Sequence, residues 1–493
     1  MERLSYRFGP LERRGILGPV RAGQALAVLA GALFAIAALD RAPSGAGMVV
    51  ATLGFGASVL FAVAPLGNRT LEQWLPIVSL FALRHAGGRS RTCSRTPSRG
   101  ARARLARGRG LRVDDPEVEV PPPIDRVRIV ATPYRDRSIG ALSERGGKRL
   151  TSVLACRVVA FSLLDAEAQE RRLARWGLVL SGAAGTPIRR IQWLERTAPA
   201  QGDELVRWLH AERDPAIPLR GTPMIESYLE LIGTTARVTQ EHEILIAVQV
   251  DAQRARGDGP FVALREQTER VAQGLEAAEV AVLGALSPGQ LSRALRTAFD
   301  PYARSELAAL EAADGGRDGL SEANAWPLGT HEGWDHYRSD GALHATFWIG
   351  GWPRTDVSPM FMDALLGRSS AVRTVAVTFE PIPPERSVRE VEAAVTRDHA
   401  DRELRRRFGQ AETARQRQAQ DATARREAEL AAGHSEVRLS GFVTVSGRDQ
   451  DELRRAITEV LEHAARARLE LHRMYGQQAA AFTFTLPLCR GLR

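Results

Sequence analysis

Two long apolar runs open this 493-residue chain. The first, from Ala22 to Leu39, contains no charged residue, and the second extends from Met48 to Leu66. A bilayer core about 30 Å thick needs about 20 residues of helix to cross it, so both runs reach membrane length. Only a short polar turn separates them. The pattern predicts a membrane-spanning helical hairpin with spans at about 22–39 and 48–66.

Beyond residue 124 the pattern changes to shorter segments. Apolar stretches of strand length, such as Glu243–Asp251 and Val372–Glu380, alternate with amphipathic stretches of helix length, such as Phe261–Leu283. Such a mixture is typical of α+β domains. The predicted fold class is therefore a membrane α-helical hairpin followed by cytosolic α+β domains, with mixed sheets, packed helices and one long charged helix.

Shifts in composition suggest where these parts begin and end. Residues 388–433 mix charges of both signs with good helix formers, which predicts one long exposed helix or a helical hairpin. Near the chain end, Val437–Val445, Asp449–Arg466 and Ala480–Leu486 predict a β-α-β arrangement. The predicted parts are a membrane hairpin with an interfacial segment (1–83), an Arg-rich and Pro-rich linker (84–123), a first α+β domain (124–300) and a second α+β domain (301–493).

Positive charge is concentrated in one segment. The formal net charge is +9, yet the stretch from Arg84 to Arg112 alone holds ten arginines and no acidic residue, so the rest of the chain is close to neutral. Glycine, serine and proline separate these arginines, which predicts a mobile basic tether that contacts the membrane surface. The predicted contact residues are Arg84, Arg89, Arg91, Arg95, Arg99, Arg102, Arg104, Arg107, Arg109 and Arg112.

The same charge distribution predicts the topology. Arginines precede the hairpin and the basic run follows it, so the positive-inside rule places both flanks in the cytoplasm. The prediction is a multi-pass protein of the inner (plasma) membrane with cytoplasmic N- and C-termini. A cleaved signal peptide is the alternative for the first span, but that span is longer than the usual apolar region and a second follows at once. The segment from Trp74 to Leu83 is too short to span and is predicted to lie in the interface.

Direct nucleic-acid binding is disfavoured, because the folded part carries no basic excess of its own. A DNA-contacting role for the arginine run remains a weaker hypothesis. The single lysine, Lys148, follows Gly146 and Gly147, but Leu142 stands where a phosphate-binding loop needs glycine. No nucleotide site, other cofactor site or metal site is predicted.

Two groups of residues are candidate sites. His331, His336 and His344 form the histidine cluster of the sequence, but His331 and His336 are five residues apart, which separates their side chains on a helix. A membrane-tethered enzyme that uses this region is the alternative function. Among four clustered tryptophans, Trp334 and Trp352 are candidates for partner docking, because tryptophan often anchors interfaces; burial in the core is the competing interpretation.

Three motifs carry a family resemblance. The opening Arg3–Gly15 before a membrane hairpin resembles actinobacterial PrgI/type IV secretion-like membrane proteins. The segments Trp334–Gly341 and Phe347–Arg354, and then Tyr475–Phe482 with Leu486–Leu488, are similar to the N-terminal, non-motor region of conjugation ATPases of the CagE/TrbE/VirB type. The resemblance implies a small inner-membrane subunit fused to the non-motor half of a secretion ATPase.

Such a protein is expected to act as a non-enzymatic scaffold in a type IV secretion or conjugation-like apparatus. Its expected partners are anionic lipids of the inner membrane, a separate secretion ATPase, channel subunits and further copies of itself. No cofactor is expected.

Overall fold

A computed structural model describes residues 21–492, except for residues 68, 94–119, 136, 158–160, 200–222, 239, 256–258, 304–306, 308–319, 321, 354, 408–413 and 434. Two compact units are present. The sheet unit contains Ser90–Arg389 and Glu429–Arg493, and the helical unit contains residues 21–89 together with Glu390–Ala428. The opening motif, Arg3–Gly15, lies outside the described residues.

The described helices are α1 (Ala22–Arg41), α2 (Gly45–Val63), α3 (Leu71–Ala86), α4 (Ala166–Gly182), α5 (Pro223–Val238), α6 (Pro260–Ala277), α7 (Pro288–Phe299), α8 (Asp363–Leu366), α9 (Pro384–Arg407), α10 (Ala414–Ala431), α11 (Gln450–Arg466) and α12 (Gln478–Phe482). The described strands are β1 (Pro65–Leu66), β2 (Arg69–Thr70), β3 (Arg91–Cys93), β4 (Arg128–Tyr134), β5 (Arg137–Glu144), β6 (Arg149–Arg157), β7 (Ile188–Pro199), β8 (Gln240–Asp251), β9 (Ala281–Ala285), β10 (Gly329–Glu332), β11 (Tyr337–Ser339), β12 (Ala342–Gly351), β13 (Val372–Pro381), β14 (Val437–Gly447) and β15 (Glu470–Arg473).

Helices α1 and α2 form an apolar hairpin in the helical unit. Ser44 caps α2 by accepting a hydrogen bond from the Gly47 N–H at 3.3 Å, which starts the second helix directly after the turn. Gly31 leaves room for Ser58, since a Cβ at that position would overlap the serine hydroxyl. Both helices are long and apolar enough to cross a membrane, and most of their large side chains face outward.

The segment predicted to lie in the interface forms most of α3. Thr70 and Gln73 cap the start of this helix, with the Thr70 N–H bonded to the Gln73 side chain at 3.3 Å. Ile77 is buried, whereas Leu75, Leu80 and Leu83 remain exposed. The helix therefore leaves several large apolar side chains exposed.

The charged region at 388–433 consists of two helices. An ion pair joins Arg426 of α10 to Glu390 of α9 at 3.9 Å. In one continuous helix these residues would lie about 54 Å apart at 1.5 Å per residue. The sequence left the choice open, and the structure has the helical hairpin.

Thirteen strands of the sheet unit form one sheet among the described residues. Its order is β3-β10-β11-β12-β14-β13-β7-β8-β6-β5-β4, with β15 beside β12 and β9 beside β6. Every described pair is antiparallel. The expectation of mixed sheets was wrong. Helices such as α4 and α11 join strands that run parallel to one another, but an antiparallel strand lies between the two in the sheet: β8 lies between β6 and β7, and β12 lies between β14 and β15. The boundary expected after residue 300 does not separate two sheets, since β13 pairs with β7 from Arg373 opposite Thr197 to Phe379 opposite Ile191.

Helices cover both faces of this sheet. On one face, Leu194 and Leu245 pack with α7 and with the chain end around Phe482 and Leu488. On the other face, Ile246 and Val248 pack with α4 and α6, and Val443 packs with α11. Burial on both sides explains why β8 reads as a nearly continuous apolar run.

Two local predictions need correction. The basic run begins as ordered structure, because β3 pairs with β10 and the Thr92 hydroxyl lies 2.6 Å from that of Thr330. Residues 480–486, expected as a strand, form the end of α12 and a 3₁₀ turn; the strand after α11 is β15 instead.

Candidate functional site

The register of β10, β11 and β12 determines which face of the sheet His331 and His344 occupy. Glu332, Tyr337 and His344 stand opposite one another across β10, β11 and β12, and His331, Arg338 and Leu343 form the next row. Neighbouring rows of a sheet point to opposite faces. His331 and His344 therefore project from different faces and do not share a site.

His344 is completely buried and fully engaged. Its Nδ1 lies 2.8 Å from the Ser446 hydroxyl, and its Nε2 lies 2.8 Å from the Ser339 hydroxyl and 3.0 Å from the Phe299 carbonyl oxygen. Burial lowers the pKa of His344 to about 4, against the opposing effect of the Phe299 carbonyl. The ring is thus a neutral structural link between strands and the end of α7.

His336 belongs to a small polar cluster in the same hairpin. Its Nδ1 lies 2.7 Å from Asp335 Oδ1, while Arg473 donates to the Asp335 carbonyl at 2.8 Å and to its carboxylate at 3.2 Å. Burial acts to raise the pKa of Asp335, but the hydrogen bond from His336 and the charge of Arg473 outweigh it and lower that pKa. Within the part of the chain that the structure describes, no three His, Cys, Asp or Glu side chains are placed to hold a metal ion together.

Beside this cluster lies an exposed aromatic pair, which we call the aromatic patch. Trp334 and Tyr475 stack with ring centroids 6.4 Å apart and an interplanar angle of 26°. The Gly476 N–H donates to the Trp334 carbonyl oxygen at 2.6 Å, and the Arg473 guanidinium lies 5.5 Å from the Tyr475 ring centroid. Trp334 is 37% exposed and Tyr475 is 36% exposed.

The patch is rigid because buried bonds fix both segments that carry it. The Ala479 N–H donates to the buried Glu332 carboxylate at 3.2 Å. Gln478 accepts from the Thr346 N–H at 2.9 Å and donates to the Thr346 carbonyl at 3.3 Å. Rigid, partly exposed Trp and Tyr side chains lose little conformational freedom on binding, which makes them effective interface anchors.

The second predicted docking residue lies elsewhere. Trp352 is half-buried and packs on β14, where a Cβ at Gly441 would come within 3.0 Å of its ring. It also contacts the core cluster beneath α11. Trp334 therefore remains a candidate for docking, and Trp352 has a role in packing.

The predicted membrane-contact arginines divide into two groups. Arg84 lies in the last turn of α3, Arg89 follows that helix, and Arg91 lies in β3. The remaining members lie outside the described residues: Arg95, Arg99, Arg102, Arg104, Arg107, Arg109 and Arg112.

Tyr475 and Arg473 were not predicted as site residues. They lie about 140 positions from Trp334, and only the pairing of β15 with β12 brings them to the β10–β11 hairpin. The sequence contains no local pattern for that pairing. The one available signal was the presence of Trp334 and Tyr475 in two separate segments of the same family resemblance.

The described residues thus combine a bilayer-length apolar hairpin, a sheet unit and a rigid aromatic patch, with no convergent metal or histidine site. No protein-family model matches this chain, and no curated protein matches it either.

Proposed function

We propose that this protein is a non-enzymatic scaffold subunit of a type IV secretion or conjugation-like apparatus in the inner membrane. Its apolar hairpin anchors it, both termini face the cytoplasm, and its sheet unit docks a separate ATPase. Anchoring is supported by the large apolar side chains that α1 and α2 leave exposed, which include Leu26, Leu29, Leu33 and Leu60. Large apolar surface of this kind is stable in lipid and costly in water.

The docking part of the proposal is supported by the aromatic patch. Exposed stacked aromatics beside charged groups are typical of interface centres that carry much of the binding energy. Arg473 and Asp335 supply directional polar contacts at the edge of the patch. The geometry thus favours a protein partner over a small substrate at this surface.

A pull-down from native membranes in mild detergent tests the proposal. The tagged full chain should co-purify an ATPase with a phosphate-binding loop, identified by mass spectrometry and by ATP hydrolysis in the eluate. Trp334→Ala combined with Tyr475→Ala should weaken that association by about 30-fold, as expected for loss of about 2 kcal/mol at an interface anchor.

Phe261→Ala is the matched control, because Phe261 is also 37% exposed but lies at the start of α6. It should leave ATPase recovery unchanged. Recovery of the protein without any ATPase, under conditions that preserve such assemblies, would count against the scaffold function. Equal recovery by the double variant and the unaltered chain would remove the aromatic patch from the proposal.

A further inference from the structure

A second feature of the sheet unit is an open cleft beside the turn between β5 and β6, which we call the basic cleft. Its volume is about 680 Å³, and its lining consists of Asp125, Arg126, Arg128, Arg145, Gly146 and Lys148. Four of these residues are cationic and one is acidic. Lys148, which the sequence rules out as part of a phosphate-binding loop, lies here.

The turn places its charged side chains in solvent. Arg145, Gly146 and Gly147 have φ angles of +53°, +67° and +85°, a left-handed backbone that glycine adopts readily. A Cβ built on either glycine would meet nothing within 4 Å. Arg145 and Lys148 are exposed on this turn. Arg126, just before β4, and Arg128, the first residue of β4, are exposed as well.

One acidic residue, Asp125, belongs to the lining itself, and two further acids beside the turn are already paired with other cations. Glu144 accepts hydrogen bonds from Arg490, and Asp251 pairs with Arg189 at 3.4 Å. Arg128 donates to the backbone carbonyls of Asp125 and Val127 at 3.0 and 3.1 Å. These bonds hold the guanidinium in place without cancelling its charge.

Among the described residues, no carboxylate forms an ion pair with any of the four cations that line the cleft. Of the four cleft cations, Arg145 also acts on Arg149, which follows Lys148 in the chain and does not line the cleft. Burial lowers the pKa of Arg149 first, and the positive charges of Arg189, Arg145 and Arg190 lower it further.

This concentration of charge is local. Residues 113–493 contain about four more acidic than basic residues, so a basic cleft does not follow from the average composition of this part of the chain. Guanidinium and ammonium groups from two chain segments face one compact volume, and guanidinium groups bind phosphate through paired N–H donors.

We propose that the basic cleft binds a phosphate-bearing anion, either a soluble polyphosphoryl compound or a phospholipid headgroup. Phosphate fits better than carboxylate, because one phosphoryl group concentrates more negative charge in the available volume. The site is independent of the aromatic patch and of the ATPase partner. An experiment can therefore show that the cleft does not bind phosphate without bearing on the scaffold function, and the reverse is also true.

The test uses the full chain in phosphatidylcholine nanodiscs and calorimetric titration with inorganic pyrophosphate at low salt. Saturable binding is expected, and Arg145→Glu combined with Lys148→Glu should raise the Kd at least about tenfold. The matched control combines Arg338→Glu with Arg455→Glu, two exposed arginines of β11 and α11 that change the net charge equally. It should leave the Kd within about twofold, and thermal unfolding should confirm that both variants fold.

A second arm identifies the source of the phosphate. In nanodiscs that contain phosphatidylglycerol, a headgroup ligand would compete and weaken pyrophosphate binding to the unaltered chain, whereas a soluble ligand would leave that affinity unchanged. Absence of saturable binding in phosphatidylcholine discs would overturn the proposal, and so would equal losses in the two double variants. Binding of duplex DNA that depends on Arg145 and Lys148 and that pyrophosphate does not displace would assign the cleft to nucleic acid instead.

Discussion

His344 shows how a residue that looks catalytic in sequence becomes structural in the fold. Its two ring nitrogens are committed to Ser446, Ser339 and the Phe299 carbonyl. Whether a histidine shares a face with its neighbours depends on strand register, and a shift of one residue reverses the face. The sequence places His331, His336 and His344 close together, but it contains no information on the register that separates them.

The low pKa of His344 makes stability depend on pH. Its pKa of about 4 in the folded chain lies below the ordinary value of 6.5, because burial disfavours the charged ring. Between these two values the unfolded chain binds more protons than the folded one, so stability rises with pH in this window. A difference of 2.5 pH units corresponds to about 3 kcal/mol, which should be present above pH 6.5 and lost progressively down to pH 4.

Thermal unfolding of the detergent-solubilised chain at pH 7, 6, 5 and 4 checks this expectation. His344→Gln removes the titrating ring, so this variant should be less stable at pH 7 but should lose less stability on acidification. The carboxylates that also titrate at low pH are present in both proteins. The difference between the two pH profiles therefore reports the His344 ring. Parallel pH profiles for the two proteins would contradict a buried neutral histidine.

At the scale of elements, the sequence predicted long and regular segments well. The strand expected at Glu243–Asp251 is found as β8, and the helix expected at Asp449–Arg466 is found as α11. Residues 480–486 were wrongly predicted as a strand. Their alternating apolar and polar side chains occupy buried positions of a short helix and a turn instead. There the Thr485 hydroxyl lies 2.8 Å from the Thr444 hydroxyl and donates to the Phe482 carbonyl at 2.9 Å. Tertiary contacts of this kind override a local strand pattern.

The helical hairpin formed by α9 and α10 should be dispensable for folding of the sheet unit. β13 and β14 remain paired up to Pro381 opposite Val437, so the strands meet at the base of the hairpin. Replacing residues 395–424 with a short Gly-Ser loop should therefore change the Tm of the sheet unit by less than about 4 °C, equivalent to about 1–2 kcal/mol. Tryptophan fluorescence during heating measures this transition.

A core substitution in α11 provides the contrast for that deletion. Leu453 and Val460 are buried on the side of this helix that packs against the sheet. Leu453→Ala should cost about 2–5 kcal/mol through lost packing, and Val460→Ala should cost less because valine is shorter. The double variant should lower the Tm by at least about 5 °C, which exceeds the change expected for the hairpin deletion. A comparable fall after the hairpin deletion would show that α9 and α10 are integral to the fold of the sheet.

At the scale of the whole molecule, the single sheet is the feature that the sequence did not predict. Strand identity follows from local periodicity, but strand order depends on contacts between distant segments, such as β7 with β13. The apolar hairpin was easier to predict, because length and composition alone define a bilayer-length helix. The proposed cytoplasmic orientation is argued from charge asymmetry alone, and a labelling experiment tests it directly.

The three cysteines provide that measurement without any engineering. Cys93 in β3 is exposed, whereas Cys156 and Cys489 are buried. Burial raises the pKa of Cys156 to about 12 from 9.0 and also raises that of Cys489. Because the thiolate is the reactive form, the raised pKa and the limited access both make Cys156 and Cys489 unreactive toward maleimide in the folded chain.

If the sheet unit faces the cytoplasm, a membrane-impermeant maleimide should label Cys93 in inverted membrane vesicles and leave it unlabelled in right-side-out vesicles. Labelling of Cys156 and Cys489 should require denaturant in both preparations, and Cys93→Ser should remove the signal from native inverted vesicles. Labelling of Cys93 in intact right-side-out vesicles would place the sheet unit outside the cytoplasm. A cytosolic ATPase could not then reach the aromatic patch, because Trp334 and Tyr475 belong to the same sheet unit as Cys93.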